Sequence, residues 1–347
     1  MKPHISLCMI VKNEEHTLRA CLESVQGAVD EIIIIDTGST DNTIDIAKEY
    51  NAKIGYFEWI GDFAAARNEA LKHCTGEWIL YLDADERLND ESRAGLPDLL
   101  RSLPANTGAA MCTIISPHRQ LDNSTETHRG GYPRIFRNYG YPLVRFQGRV
   151  HEQITPSILE CGGLVVNTDV TIIHTGYDIE LDEMEKKVQR NYQLLIKHVQ
   201  EEPLNAYAWF QLGQTLGRMN VADKAEEALR FALEIGTLSK PIAATAAATL
   251  AHICGTQARY EDSLRWSDVS LGFVPTQAMA MNYRAYSLLH LHRLDEAEGA
   301  FHSLQQLLTN STLLPDTGYE VQIGPEIINS GLRRIQELRD QQSSMKQ

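Results

Sequence analysis

Trp78-Ile79-Leu80-Tyr81-Leu82-Asp83-Ala84-Asp85-Glu86 is an apolar run that stops abruptly on acid. The apolar half has the length and composition of a buried β-strand. Alternation along a strand puts Asp83 and Asp85 on one side of the chain, where two carboxylates can meet a divalent cation and the oxygens of a nucleotide diphosphate. Without a cation between them the two would repel. Taken alone, the pattern describes loop acids or a helix N-cap equally well, so the flanking segments decide its meaning.

Upstream, apolar runs alternate with amphipathic stretches. Ile5–Val11 reads as a strand, residues 15–25 as a helix, 31–35 as a strand, and a second helix begins near Asp41, where Ser39-Thr40-Asp41 offers N-cap side chains. A third strand follows at 53–57 and a third helix at 62–72. Strands and helices in turn predict an α/β fold, a Rossmann-like parallel sheet with crossover helices whose ligands bind beyond the carboxyl ends of the strands. The polar residues fall at those ends.

Downstream, from about residue 105 to 178, the pattern changes to short β-like runs (109–115, 165–166 and 170–174) broken by Gly and Pro, as in the mixed half of a sheet. The segment from His118 to Tyr141, rich in Arg, Gly and Tyr, reads as a loop in which Arg134 and Arg137 are solvated or hold an anion. Residues 180–200 are strongly helical, and beyond them the chain reads as helix pairs. Trp209, Leu212, Gly213, Leu216, Ala222, Ala225 and Ala232 have the spacing of a tetratricopeptide hairpin. Weaker copies run through Ala251, Cys254, Tyr260, Ser263 and Pro275 and through Ala285, Leu288, Leu294, Ala297 and Phe301. An ordinary helical bundle is the alternative. The expected organisation is an α/β domain at 1–178, a linking helix at 179–204, an all-α repeat domain at 205–340 and a flexible tail at 341–347.

The chain has 347 residues, room for two domains, and a formal net charge of −14, which disfavours nucleic acid as a partner. The 6 cysteines are scattered without CxxC spacing, as in a reduced, cytoplasmic protein. Neither the apolar stretch at 5–11 nor that at 32–35 approaches the roughly 20 residues that span a bilayer.

Three segments set the acidic motif in context: Met9-Ile10-Val11-Lys12-Asn13-Glu14-Glu15, Asp36-Thr37-Gly38-Ser39-Thr40-Asp41 and Asp62-Phe63-Ala64-Ala65-Ala66-Arg67-Asn68. In this order, before Asp83-Ala84-Asp85, they resemble the inverting family-2 glycosyltransferases of GT-A fold, in a branch with tetratricopeptide repeats after the catalytic domain. The resemblance implies a nucleotide-sugar donor, with a UDP-sugar expected, and a Mn²⁺ or Mg²⁺ ion. It implies that Val11, Lys12, Asn13, Glu14 and Asp36 line the base and ribose, that Arg67 and Asn68 face the nucleotide, and that Asp83, Ala84 and Asp85 meet the diphosphate. Asp85 and a downstream histidine would bind the metal, His174 of His174-Thr175-Gly176-Tyr177 being the candidate and His151 the competitor.

Inverting transfer also needs a base to deprotonate the acceptor, and Glu152 in Arg149-Val150-His151-Glu152 stands at the expected position, unless it only pairs with Arg149 or Arg145. Asp85 joins it as the second catalytic carboxylate. The acceptor is a peptide, a protein or a saccharide, and the repeats are a surface for holding it or for assembling copies of the chain. The alternative function is a repeat scaffold whose α/β domain binds nucleotide without catalysis, against which the presence of Arg67, Asp83, Asp85 and Glu152 argues. A nucleotidyltransferase would need a Gly-rich phosphate loop, and residues 9–15 contain no glycine.

Overall fold

A computed structural model describes residues 3–119, 125–175, 181–310 and 323–344. The chain divides into two compact units, Met1–Lys187 and Val188–Gln347.

The first unit runs β1 (Ile5–Val11), α1 (Leu18–Ser24), β2 (Glu31–Asp36), α2 (Thr43–Glu49), β3 (Lys53–Tyr56), α3 (Phe63–His73), β4 (Trp78–Tyr81), β5 (Glu86–Leu88), α4 (Asp90–Ser102), β6 (Thr107–Arg119), β7 (Thr125–Arg137), α5 (Thr155–Glu160) and β8 (Leu164–His174). The strands form one sheet in the order β3-β2-β1-β4-β7-β6-β8-β5. Its first four strands are parallel; β7 runs antiparallel to both β4 and β6, β8 is parallel to β6, and β5 is antiparallel to β8. The apolar alternation of β1 explains the layering. Ile5, Leu7, Met9 and Val11 enter one core with Leu18 and Leu22 of α1, Ala47 of α2 and Leu96 of α4. Cys8 enters the other, with Ile35 of β2, Leu71 of α3 and Ile158 of α5. Strands covered on both faces need apolar residues in both registers, which is why the central strands read as unbroken apolar runs.

Three sequence expectations are corrected here. The expected loop from His118 to Tyr141 is largely β7, and its residues 120–124 lie outside the described residues. Gly130, Gly131 and Pro133 carry turn chemistry, yet Pro133 falls where the β6–β7 register shifts: Ala110 faces Ile135 and Cys112 faces Tyr132, so Pro133 and Arg134 together oppose Met111. At such a bulge the strand has a residue without a ladder partner, and proline is tolerated. The runs at 165–166 and 170–174 are one strand, β8, interrupted by its own register shift against β6, where Thr168 Oγ1 donates to the Met111 carbonyl. Helix α2 begins at Thr43, near Asp41 as expected, but its N-cap residue is Asn42 rather than one of Ser39-Thr40-Asp41, and the Asp41 carboxylate accepts from the Thr43 amide and hydroxyl.

Helix α6 (Leu181–Glu201) runs across the division between the units. The second unit then has α7 (Ala206–Arg218), α8 (Ala222–Ile235), α9 (Lys240–Thr256), α10 (Tyr260–Phe273), α11 (Ala278–His290), α12 (Leu294–Asn310) and α13 (Pro325–Ser344). The pairs α7–α8, α9–α10 and α11–α12 are tetratricopeptide-like hairpins. Each turns through one left-handed residue, Asn220, Ala258 or His292, at φ 58° in all three. The next residue donates its amide to a carbonyl five positions back: Val221 to Leu216, Arg259 to Cys254 and Arg293 to Leu288, at 3.0, 2.9 and 3.0 Å. This is the Schellman-type closure, repeated at corresponding positions. Gly213 lets α7 approach α8: a Cβ there would lie 2.5 Å from Leu229 Cγ. Among the described residues no helix is long and apolar enough to cross a membrane.

Candidate active site

The chemistry gathers beyond the carboxyl ends of β1, β2 and β4. Two loops interlock there. Asn13 N–H donates to Ser39 Oγ (3.0 Å), Thr40 N–H to Asn13 Oδ1 (2.8 Å), Glu14 N–H to Thr43 Oγ1 (2.7 Å) and Glu15 N–H to Asp41 Oδ2 (3.1 Å). Gly38, at φ 106°, takes a backbone conformation suited to glycine. Asp36 is buried, and its carboxylate accepts from Gly38 N–H (3.2 Å) and Ser39 N–H (3.0 Å), so it shapes its own loop. The Val11 carbonyl accepts from the Thr37 amide and hydroxyl, and Lys12 is exposed. Burial pushes the Glu14 carboxyl up, against the hydrogen bond from Thr17, and the charges of Asp85 and Asp83 add to the rise.

The acidic turn is closed by Glu86. The Asp83 amide donates to Glu86 Oε2 at 2.9 Å and the Glu86 amide to the Asp83 carbonyl at 3.0 Å. Glu86 then starts β5, paired with His174 of β8, and the Thr175 amide and hydroxyl both donate to the Asp85 carbonyl at 3.0 Å. This pairing brings His174 Nε2 to 3.1 Å from Asp85 Oδ2, with Ser116 Oγ of β6 at 3.3 Å from His174 Nδ1. Burial alone would lower the His174 pKa; the hydrogen bond and charge of Asp85, with Glu86 and Asp83 behind it, raise it. Gly176 and Tyr177 lie outside the described residues.

Two arginines hold Asp83. Arg67 of α3, buried beneath the rings of Tyr81 and Phe146, donates from Nη2 to Asp83 Oδ1 at 2.6 Å and from Nε to Glu152 Oε1. Arg134 of β7 places its Nη2 at 3.3 Å from Asp83 Oδ2 and 2.5 Å from Glu86 Oε1. Burial would raise the Asp83 carboxyl, but Arg67 and Arg134 hold it well below the usual carboxylate range. Glu86, only 2% exposed, is pushed up by burial against the opposing charge of Arg134.

Glu152 sits in a tight loop closed by reciprocal 2.9 Å hydrogen bonds between the backbones of Gln147 and Gln153. Asn68 fixes the approach to that loop: its amide donates to the Phe146 carbonyl (3.0 Å) and accepts from the Phe146 amide (2.7 Å). The Phe63 amide, at the start of α3, donates to the Arg149 carbonyl at 2.8 Å. Thus Glu152 pairs with Arg67, while Arg145 pairs with Glu160 and Arg149 lies beside Asp62. His151, in the same loop, has φ 55°. Arg137 is in β7 and pairs with Glu77.

The fold therefore brings together Arg67, Asp83, Asp85, Glu152 and His174, with Ala84 buried inside the turn, while Asp36 and Asn68 are engaged with nearby backbone. Sequence reasoning missed Glu86 and Ser116. Glu86 adjoins the acidic pair, but Ser116 leaves no signal beyond its place on a strand. Asp85 and His174 supply one oxygen and one nitrogen donor side by side, a pair compatible with a divalent cation. Among the described residues no group of three or more His, Cys, Asp or Glu side chains is arranged to hold an ion by itself.

An open α/β sheet places ligands beyond the carboxyl ends of its parallel strands, where this acidic turn lies, and residues 6–154 match the family described as "Glycosyl transferase family 2". Residues 6–154 thus carry a domain of that family, and a tetratricopeptide-like helical unit follows it. It is 35% identical over 238 residues to a TPR repeat-containing protein of Synechococcus elongatus, covering 67% of this chain and 57% of that one. It is 31% identical over 232 residues to the SPbeta prophage-derived glycosyltransferase SunS of Bacillus subtilis, covering 66% and 52%. The chain thus spans little more than half the length of these curated relatives. A mannosyltransferase of Pyrobaculum calidifontis, solved with GDP-Man and Mn²⁺, overlaps with a TM-score of 0.44 at 18% identity, covering 82% of this chain and 87% of that one.

Proposed function

We propose that this protein is an inverting glycosyltransferase that moves one hexose from a nucleotide-diphosphate donor, with a UDP-sugar expected, to a peptide, protein or saccharide acceptor. The observation that carries the reading is the convergence of Asp83, Asp85, His174 and Glu152 around the loops at 11–15 and 36–43, with Arg67 spanning two of the carboxylates. The family match over residues 6–154 supports it.

In this reading the 11–15 and 36–43 loops cradle base and ribose. Asp85 and His174 would hold a Mn²⁺ or Mg²⁺ ion, which when bound would supply charge neutralisation for the departing nucleoside diphosphate. Glu152 takes the proton of the acceptor as its nucleophilic atom bonds to the anomeric carbon and the bond from that carbon to the diphosphate oxygen breaks on the opposite face. Arg67 orients Glu152 through Oε1, leaving Oε2 for the acceptor proton. Asn68 steadies the segment from which Glu152 projects. The catalytic part is assigned to residues 1–178 and acceptor holding or self-association to the helical repeats. All 6 cysteines are free thiols, five of them buried, which suits a reducing, cytoplasmic setting.

The test is a panel of UDP-, GDP- and dTDP-sugars with Mn²⁺, following nucleotide release with and without EDTA, beside Asp85→Ala. Release that requires metal and is lost in the variant supports the transferase and names its donor. Folded protein that neither releases nucleotide nor binds any donor by calorimetry would favour a non-catalytic repeat scaffold.

A further inference from the structure

Arg134 is the product of a local irregularity in the sheet. The bulge at Pro133–Arg134, opposite Met111, interrupts the alternation of β7. A bulge re-aims the side chain that it carries. Here the side chain is 11% exposed, its guanidinium carbon 4.4 Å from the Tyr81 ring centroid. Its Nη2 is shared between Glu86 Oε1 and Asp83 Oδ2, and Glu86 Oε2 accepts the Asp83 amide. The other Asp83 oxygen belongs to Arg67. Both oxygens of Asp83 thus face cationic nitrogen, whereas Asp85 Oδ2 faces only the imidazole of His174 among the described residues.

We propose that Arg134 and Glu86 are positioning residues that make the acidic turn asymmetric: they hold Asp83 as an arginine-bound anchor, so that Asp85 alone of the two aspartates takes a divalent cation. The physical reason is competition. Two carboxylates two positions apart would otherwise both turn onto a cation, and a cation drawn between them would pull the turn away from the geometry set by β5 and β8. The guanidinium of Arg134 opposes this by occupying Asp83 before any metal arrives, and buried Glu86 fixes that guanidinium in place. The inference rests on the metal-assisted transfer proposed above.

The experiment measures Mn²⁺ binding to the full, donor-free chain by electron paramagnetic resonance, which does not depend on turnover. Arg134→Met alone would leave Glu86 buried without its cation and could unfold the turn. The informative variant is therefore Glu86→Gln with Arg134→Met, which removes both charges together. In this double variant Mn²⁺ binding should tighten about tenfold, the scale on which groups around a metal site act. Adding Asp83→Asn should return it to the unmodified value, and Arg134→Lys, which keeps the charge, should stay within about twofold of it. With the donor identified, kcat of the double variant should fall further than its KM rises. The positioning role is overturned if the double variant binds Mn²⁺ as the unmodified chain does, or if the tightening survives Asp83→Asn. Absence of Mn²⁺ binding by the unmodified chain, with or without nucleoside diphosphate, overturns the metal-assisted reading itself.

Discussion

His174 Nε2 lies 3.1 Å from Asp85 Oδ2, although the two residues are 89 positions apart in the chain. The contact is set by the sheet, since Glu86 of β5 pairs with His174 of β8. On its other side the imidazole meets Ser116 Oγ at 3.3 Å, which orients the ring. If Asp85 and His174 hold the metal, His174→Ala should raise the Mn²⁺ concentration for half-maximal nucleotide release by roughly 10- to 100-fold, and Ser116→Ala by up to about tenfold. A Mn²⁺ titration of nucleotide release checks both. An unchanged midpoint in His174→Ala would remove the histidine from the metal site.

Glu152 should separate chemistry from binding. Glu152→Gln keeps an oxygen for Arg67 but cannot take a proton, so kcat should fall by about 10²–10⁴. The donor KM should change by no more than about threefold, since the loops at 11–15 and 36–43 are untouched. Steady-state kinetics at saturating acceptor decides this. A kcat within about tenfold of the unmodified enzyme would place the base elsewhere.

Arg67 is expected to matter for folding as well as for catalysis. It is 5% exposed and is shared by Asp83 and Glu152. Arg67→Met leaves both carboxylates without their common cation, at a cost of about 3–5 kcal/mol. Arg67→Lys keeps the charge but reaches one carboxylate at a time, and should cost less than half as much. Urea unfolding of the two variants measures the difference, and equal losses would mean that the fork geometry contributes nothing.

Most of the frame was legible because it rests on local pattern. The bounds of β1, the placing of α3 within one residue of 62–72 and the acids after β4 follow from alternation, helical periodicity and strand length. Within the site, Asp83 and Asp85 were legible from one segment's own chemistry, whereas Arg67, Glu152 and His174 were named only through the family resemblance. Strand β7 was not legible, because Gly130, Gly131 and Pro133 carry the residue signature of a turn; their compatibility with a strand depends on a register shift against β6. The partnership of Arg134 with Glu86 was hidden for a related reason. A buried ion pair across 48 residues leaves no periodic trace in either segment.

Glu31, at the amino end of β2, predicts a pH dependence unrelated to catalysis. Its carboxylate accepts from Ser6 Oγ (2.5 Å), the Thr75 amide (2.6 Å) and hydroxyl (2.9 Å) and Lys53 Nζ (2.8 Å). Burial would raise its pKa, but Lys53, Ser6 and Thr75 together bring it from 4.5 down to about 2. A depressed carboxyl stabilises the fold above its unfolded value, and that stability is lost as pH falls from about 4.5 toward 2. Glu31→Gln should therefore cost about 1–2 kcal/mol at pH 6. The gap between the two proteins should narrow as urea unfolding is repeated down to pH 3. A gap independent of pH would mean that the hydrogen bonds matter but the charge does not.

Two glycines of α7 give opposite expectations for the helical unit. At Gly213 a methyl group would meet Leu229 Cγ at 2.5 Å, Leu229 Cδ2 at 2.8 Å and the Ala225 carbonyl at 3.3 Å, so α7 and α8 would have to part. Gly213→Ala should therefore destabilise by about 1–3 kcal/mol, through overpacking. At Gly217 the same methyl group meets nothing within 4 Å. There alanine should be neutral or stabilise by up to about 1 kcal/mol, through helix propensity. Thermal denaturation of the full chain, with hydrogen exchange read over α7 and α8, compares them. Shortening Leu229 to alanine should recover part of the loss at Gly213, because it removes the atoms that the methyl group strikes. If the two glycine variants behave alike, close approach of the first helix pair is not what Gly213 provides.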